Sequence, residues 1–322
     1  VKPILADNPF DKKKAPQGVC AFGKNVNMLF AAYGRMLTQK IQTLLAANVL
    51  LASNMTDEEL SANVAEVLTN SEVQDLQKIM NALGDFSEFD STQNECAMMF
   101  MYVFYAVLGM PTPILAQYLK DCRRWVAKND FLKLEHVLMM HSGKFETWVR
   151  NTLYNMANIG IMYKWRHLVL AIFTGDDSAL RGLHIEFDYA SDWLKKNGLH
   201  LKDEKSPYFE VAGKVLIHNH ALVPEPLRRT VKFITKMSHD LNHYNETIKS
   251  LRGGFEMYRC QNNIDEAAKV ISELHNHHAK FSYKITPNDI TQIMGFLYHE
   301  AINPRMYKQL TFVNKEYHMF SY

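Results

Sequence analysis

IMYKWRHLVLAIFTGDD, residues 161–177, is the stretch on which the reading of the fold turns. Gly160 and Gly175 bound it, and its dense apolar content predicts a helix over about 161–174. Asp176-Asp177 then reads as an acidic pair at the start of a further helix, where the dipole alone favours negative charge. The same grammar recurs on both sides. Helices are expected at about 113–128, 131–142, 144–158, 186–197, 207–218, 225–251, 264–278 and 288–301, with ends uncertain by roughly 2–4 residues. Upstream, Asn25 to Ser53 carries a long apolar-rich pattern through Met28, Tyr33, Leu37 and Ile41. Thr56-Asp57-Glu58-Glu59 is a capping box, Gly84 is placed as a left-handed stop, and Thr92 with Glu95 opens the apolar helix that Gly109 closes. Strand alternation bounded by hairpin turns is hard to find, so the expected fold class is all-α.

The polar stretch Gly198 to Pro207 divides this helical body into an expected larger lobe, 25–200, and a smaller one, 201–310. Residues 1–24 and 311–322 read as N- and C-terminal arms, the second rich in aromatics (Phe312, Tyr317, Phe320, Tyr322) that must dock somewhere. No repeat of constant period argues for a solenoid. The longest apolar run, Cys96 to Met110, is shorter than the roughly 20 residues of a membrane-spanning helix, and reads as a buried central helix. Four scattered cysteines (Cys20, Cys96, Cys122, Cys260) without a C-x-x-C pair suit free thiols in a reducing intracellular compartment. No membrane attachment and no cofactor is expected.

Lys+Arg 36 against Asp+Glu 34 gives a net charge of +2 over 322 residues, which excludes a strongly basic tail-binder or an acidic solvating protein. The near-neutral total hides segregation. Ser53 to Glu95 holds ten acidic residues and one basic, whereas Lys120 to Arg166 holds nine basic and four acidic. Lys120, Arg124 and Lys128 fall at i, i+4, i+8 on one expected helix face, and Arg228, Lys232 and Lys236 repeat the stripe in the second lobe. Arg150, Lys164, Arg166 and Arg229 surround them, together with Trp125, Tyr163 and Trp165. Cations neutralise phosphates and flat rings stack on any base, so this mixture suits single-stranded RNA held by its backbone without sequence preference. A solvated helix face and core aromatics explain the same residues more plainly.

Catalytic signatures are scarce. G-x-S-x-G, the P-loop and G-x-G-x-x-G are absent. His239-Asp240 with His243 and Glu246 could present two imidazoles and a carboxylate to one ion on a helix, the centre of an alternative reading as a metal-dependent, phosphohydrolase-like enzyme. A polar exposed face explains the cluster equally, as a helix C-terminus explains His275, His277 and His278. For Asp176-Asp177, an aspartate-cluster enzyme would need a second metal motif, which Asn288-Asp289 followed by Glu300 does not supply. A third reading is a protein-interaction scaffold whose acidic segment 53–95 meets a basic partner.

An all-helical, two-lobed body with basic stripes in both lobes and arms at both ends resembles the nucleoproteins of negative-strand RNA viruses. The resemblance implies a non-enzymatic, self-assembling protein of the virion and host cytoplasm. It would coat RNA in a cleft between lobes and form homo-oligomers by lending its arms to neighbours.

Overall fold

A computed structural model describes residues 24–52, 55–71, 78–123, 125–128, 133–136, 146–189, 191–218, 221–235, 241–259, 264–278 and 284–295. The chain divides into two compact units, the first formed by residues 1–51 and 77–205 and the second by 52–76 and 206–322.

The first unit begins with α1 (Lys24–Leu44) and β1 (Val49–Leu51). After α2 (Asp57–Thr69), which belongs to the second unit, it resumes with β2 (Met80–Phe86), α3 (Phe89–Thr92), α4 (Glu95–Val107) and α5 (Thr112–Arg123). A small hairpin follows, β3 (Trp125–Lys128) with β4 (Lys133–His136), then α6 (Thr147–Met162), β5 (Tyr163–Thr174), β6 (Asp177–Phe187), α7 (Trp193–Lys196) and β7 (Leu201–Ser206). Five strands form one sheet in the order β1-β5-β6-β2-β7, with β1 parallel to β5 and the β5–β6 and β6–β2 pairs antiparallel.

The fold is therefore mixed α/β, and the all-α expectation fails at its deciding stretch. Residues 163–187 are two long antiparallel strands joined by the two-residue turn Gly175-Asp176, with Thr174 opposite Asp177. The reason for the misreading is physical. Val169, Leu170, Ala171, Ile172 and Phe173 are all buried, so β5 is covered on both faces and loses the polar alternation that marks a half-exposed strand. Gly175 takes φ +62° and Asp176 does not share the positive φ, the pattern of a hairpin turn with glycine first. Gly84 likewise proves to be a strand interior residue, and the space for a side chain there is filled by Ser178 Oγ, 2.6 Å from an ideal Cβ. Where β5 shifts register between Leu168 and Leu170, His167 is left-handed and its carbonyl oxygen lies 2.9 Å from the point a Cβ on Gly182 would occupy. The bulge excludes every side chain at position 182.

Around this sheet the core gathers Phe86, Phe89, Met98, Met101, Tyr105, Leu153 and Tyr154. The central apolar helix is real: α4 buries Ala97, Met98, Met101 and Tyr105, capped by Asn94 rather than Thr92.

The second unit contains α2, a three-stranded antiparallel sheet in the order β10-β9-β8 and four further helices. Its strands are β8 (Glu210–Val211), β9 (Lys214–Ile217) and β10 (Ala221–Pro224); its helices are α8 (Pro226–Thr235), α9 (Leu241–Arg259), α10 (Ile264–His278) and α11 (Pro287–Gly295). The helix expected at 207–218 is therefore strand. The capping box at α2 forms as read: Glu59 N–H donates to Thr56 Oγ1 at 3.2 Å while Thr56 N–H donates to Glu59 Oε2 at 2.8 Å. A separate core of Val215, Ile217, Val223, Ile271 and Ile290 holds this unit together.

Candidate active site

Four aspartates meet at one end of the five-stranded sheet. Asp85, the last residue but one of β2, lies directly opposite Asp177, the first residue of β6, and Asp176 sits on the turn before it. From Asp85 the chain turns through left-handed Glu88 (φ +52°) into α3, which carries Asp90. Phe86 stacks on Phe89 at 4.5 Å and Phe89 on Tyr154 at 5.7 Å, pinning this turn to the core. Asp176 is open to solvent, yet enough protein surrounds it that partial loss of hydration raises its carboxyl above the ordinary aspartate value. The negative charges of Asp85 and Asp90 raise it further. Lys202 Nζ lies 3.2 Å from Asp85 Oδ2, but the pair is exposed and such pairs contribute little.

The turn is held from α6. Gly175 N–H donates to Thr152 Oγ1 at 2.9 Å, and Thr152 in turn donates to Trp148 O. Asn155 Nδ2 donates both to Gly175 O (3.1 Å) and to Asp177 O (3.0 Å), and Trp148 Nε1 reaches Thr174 Oγ1. Residues 148, 152 and 155 share one face of the helix at i, i+4, i+7 spacing, and that face is given over to the aspartate-bearing turn. One residue along, Asn151 Nδ2 donates to Asp90 Oδ1 at 2.6 Å, so α6 grips both acidic elements.

The donor set is all carboxylate oxygen, the chemistry that hard divalent cations of the magnesium class select. Like charges drawn together, one of them with a raised carboxyl, fit such an ion in type and neighbourhood. Among the described residues, no three His, Cys, Asp or Glu side chains are gathered tightly enough to hold an ion as they stand.

Comparison with known proteins decides what the arrangement belongs to. Residues 1–289 match the family described as RNA dependent RNA polymerase. The chain belongs to the RNA-dependent RNA polymerase family. It is 30% identical over 216 residues to the non-structural polyprotein pORF1 of hepatitis E virus genotype 1 (isolate Human/China/HeBei/1987), a match covering 67% of this chain and 12% of that polyprotein. The genotype 3 polyprotein (isolate Human/United States/US2) is 29% identical over the same shares of the two chains. This polymerase-family chain thus corresponds to a small part, 12%, of these relatives. Its fold is similar to the crystal structure of the RNA-dependent RNA polymerase of a human picobirnavirus, with a TM-score of 0.59 at 13% identity, covering 94% of this chain and 61% of that one.

Membership of the polymerase family overturns the nucleoprotein and nucleocapsid expectation, and with it RNA coating in a cleft between lobes. It also leaves the phosphohydrolase and scaffold readings without support. His239 and Asp240 lie outside the described residues, while His243 and Glu246 stand on α9 with Glu246 exposed. Among the described residues no helix is long and apolar enough to cross a membrane. Both arms that were to exchange between subunits lie outside the described residues, except Lys24, which begins α1.

Of the two basic stripes expected from the sequence, the one through Lys120 and Lys128 does not form. The helix carrying Lys120 ends at Arg123 and the chain is strand at Trp125–Lys128, so Lys120 and Lys128 share no helix face. Lys120 is exposed; Arg124 is outside the described residues, and of Trp125 and Lys128 the backbone is described. Lys164 is exposed on β5 beside Asp188 (3.8 Å), and of Arg166 the strand position is known. Tyr163 and Trp165 face the core, Tyr163 being buried with its hydroxyl donated to Asp203; burial and then this carboxylate push the phenol well above its usual range. In the second unit Arg228 is exposed on α8, Arg229 pairs with Asp57, Lys232 lies on the same helix, and Lys236 is outside the described residues. Arg150 is 2% exposed, inside α6.

Sequence reasoning noticed Asp176-Asp177 but set it on a helix, and missed Asp85, Asp90, Asn151, Thr152 and Asn155. A usable signal existed: Gly-Asp between two runs rich in Val, Ile, Leu and Phe is a two-residue hairpin loop. No local pattern marks Asp85 or Asp90, which are brought to the turn by strand pairing across about 90 positions of sequence.

Proposed function

We propose that Asp85, Asp90, Asp176 and Asp177 form the nucleotidyl-transfer centre of a chain that extends RNA on an RNA template. The observation that carries this reading is Asp176: it stands at a hairpin tip, with its carboxyl raised by lost hydration and by Asp85 and Asp90, on a chain of the polymerase family. A bound magnesium-class cation supplies charge neutralisation at the transferring phosphate and a more nucleophilic hydroxyl. Asp85, Asp176 and Asp177 are the residues to hold it. Asp90 has one oxygen fixed by Asn151, and its charge acts on Asp176 in the same neighbourhood. The Thr152 and Asn155 bonds to the turn backbone keep the aspartates placed without using their carboxylates. Exposed Lys120 and Arg228 suit contact with RNA phosphates, which is independent of sequence and weakens as salt rises.

The test is primer extension by the purified chain on a short RNA template with the four nucleoside triphosphates and Mg²⁺ or Mn²⁺. Extension by the parent and its loss in Asp177→Asn are expected. A parent that binds the template and cations yet adds no nucleotide overturns the reading.

A further inference from the structure

Arg150, Gln93, Asn151 and Asp90 form a buried hydrogen-bonded line that ends in the candidate site. Arg150 Nε donates to Gln93 Oε1 at 2.7 Å, Gln93 Nε2 donates to Asn151 Oδ1 at 2.6 Å, and Asn151 Nδ2 donates to Asp90 Oδ1 at 2.6 Å. Gln93 is 1% exposed, Arg150 2% and Asn151 8%, so water does not compete for these bonds. The direction of the line follows from its ends. A guanidinium can only donate and an ionised carboxylate can only accept, so each amide between them has one satisfied orientation and one that sets oxygen against oxygen or N–H against N–H.

We propose that Arg150 and Gln93 are positioning residues of the polymerase site: they fix the amide of Asn151 so that it donates to Asp90, and thereby fix which Asp90 oxygen remains for substrate or cation. This rests on the proposed nucleotidyl-transfer reading, and it gives a role to a cation that the sequence assigned to RNA phosphates. Arg150 is anchored behind the line by Tyr118, whose hydroxyl lies 3.4 Å from Nη1, and by Glu146, 3.8 Å away at the start of the same helix. Glu146 in turn accepts from Tyr105 Oη at 3.0 Å. The donor end is therefore rigid, and the orientation of two neutral amides is set from inside the protein rather than by the ligand.

The direction can be reversed chemically. In Gln93→Glu the new side chain only accepts, so Asn151 must turn its NH₂ toward residue 93 and its oxygen toward Asp90, where two acceptors face each other. Adding Asp90→Asn restores a donor at that end, and the whole line is satisfied in the opposite sense. Gln93→Met breaks the line without reversing it. Expected are a fall of roughly 3–6 °C in Tm for Gln93→Glu and for Gln93→Met, and little change for Asp90→Asn alone. Recovery is expected when Asp90→Asn is added to Gln93→Glu, but not when it is added to Gln93→Met. In primer extension Gln93→Glu should raise the nucleotide KM about tenfold with template binding unchanged, and the double variant, lacking the Asp90 carboxylate, should not recover it.

An equal response of Gln93→Glu and Gln93→Met to added Asp90→Asn would overturn the directed line. Recovery of Tm with a parental nucleotide KM in Gln93→Glu would make the line structural and overturn the positioning role. The melting cycle needs no catalysis, so a parent chain that synthesises no RNA would count against the polymerase reading and leave the line standing.

Discussion

Two aspartates of this chain, Asp57 and Asp176, respond to their surroundings in opposite directions. Asp57, at the start of α2, loses hydration, but Lys214 Nζ at 3.2 Å and Arg229 more than offset that loss and hold its carboxyl below the usual range. Asp176, on the β5–β6 turn, also loses hydration, and the nearby charges of Asp85 and Asp90 add to the effect. Compensated charge ties a fold together; accumulated like charge leaves a demand that a ligand must meet. The difference separates the joint of the second unit from the candidate centre of the first.

The largest break in this comparison is catalytic. Asp176→Asn should lower primer extension about 10³-fold or more, as loss of a group acting on developing charge does, while Asp57→Asn leaves the rate per folded molecule within about twofold. Next is cation linkage. Mn²⁺ at a hundredfold excess over its Kd should stabilise the parent by about 2.7 kcal/mol in thermal melts, and the increment should shrink in Asp176→Asn and persist in Asp57→Asn. A cation increment untouched by Asp176→Asn would place the ion elsewhere. Third, Asp57→Asn should cost about 2 kcal/mol in denaturant melts, because Arg229 and Lys214 lose the negative charge they pair with. Asp176→Asn, relieved of repulsion, should melt at or above the parent at pH 7 without added cation.

The smallest effect is the pH slope. Asp57 is depressed in the folded state, so its contribution is present above the ordinary value of 3.8 and is lost as pH falls through its lower folded value. Asp176 is raised, so the native state takes up a proton first; stability rises as pH falls through the raised value toward 3.8 and declines as pH rises again. Subtracting the Tm–pH profile of each Asn variant from the parent should give slopes of opposite sign. Slopes of the same sign would remove the contrast.

Much of the helical content was legible in the residues. α10 spans Ile264–His278 as the periodicity predicts, and the Thr56/Glu59 box opens α2, because caps and amphipathic faces are local properties. The sheet was not, since β5 is buried on both faces and its run from Val169 to Phe173 looks the same as a buried helix segment. For the site, Asp176-Asp177 was visible as a pair and assigned to helix-dipole stabilisation, which requires a helix that is absent there. Asp85 and Asp90 sat within the acidic segment 53–95 and looked like solvated charge. Their proximity to Asp176 is a product of β2 pairing with β6, and no window of neighbouring residues contains it. Arg150 shows the converse error: its charge was counted toward a surface, yet the helix faces inward at that position and the guanidinium closes a buried network.

The order β1-β5-β6-β2-β7 also sets a clock. The β5–β6 hairpin is contiguous and can close on its own within microseconds, but β2, which brings Asp85, leaves the ribosome about 100 residues before β6 is complete. At roughly 5–20 residues per second that is an interval of about 5–20 s. Throughout it, the buried face of β2 waits without its partner strand, and Asp85 and Asp90 stand without Asp176 and Asp177. During synthesis the site therefore comes into being as a single late event, when residue 187 emerges and the waiting strand is claimed.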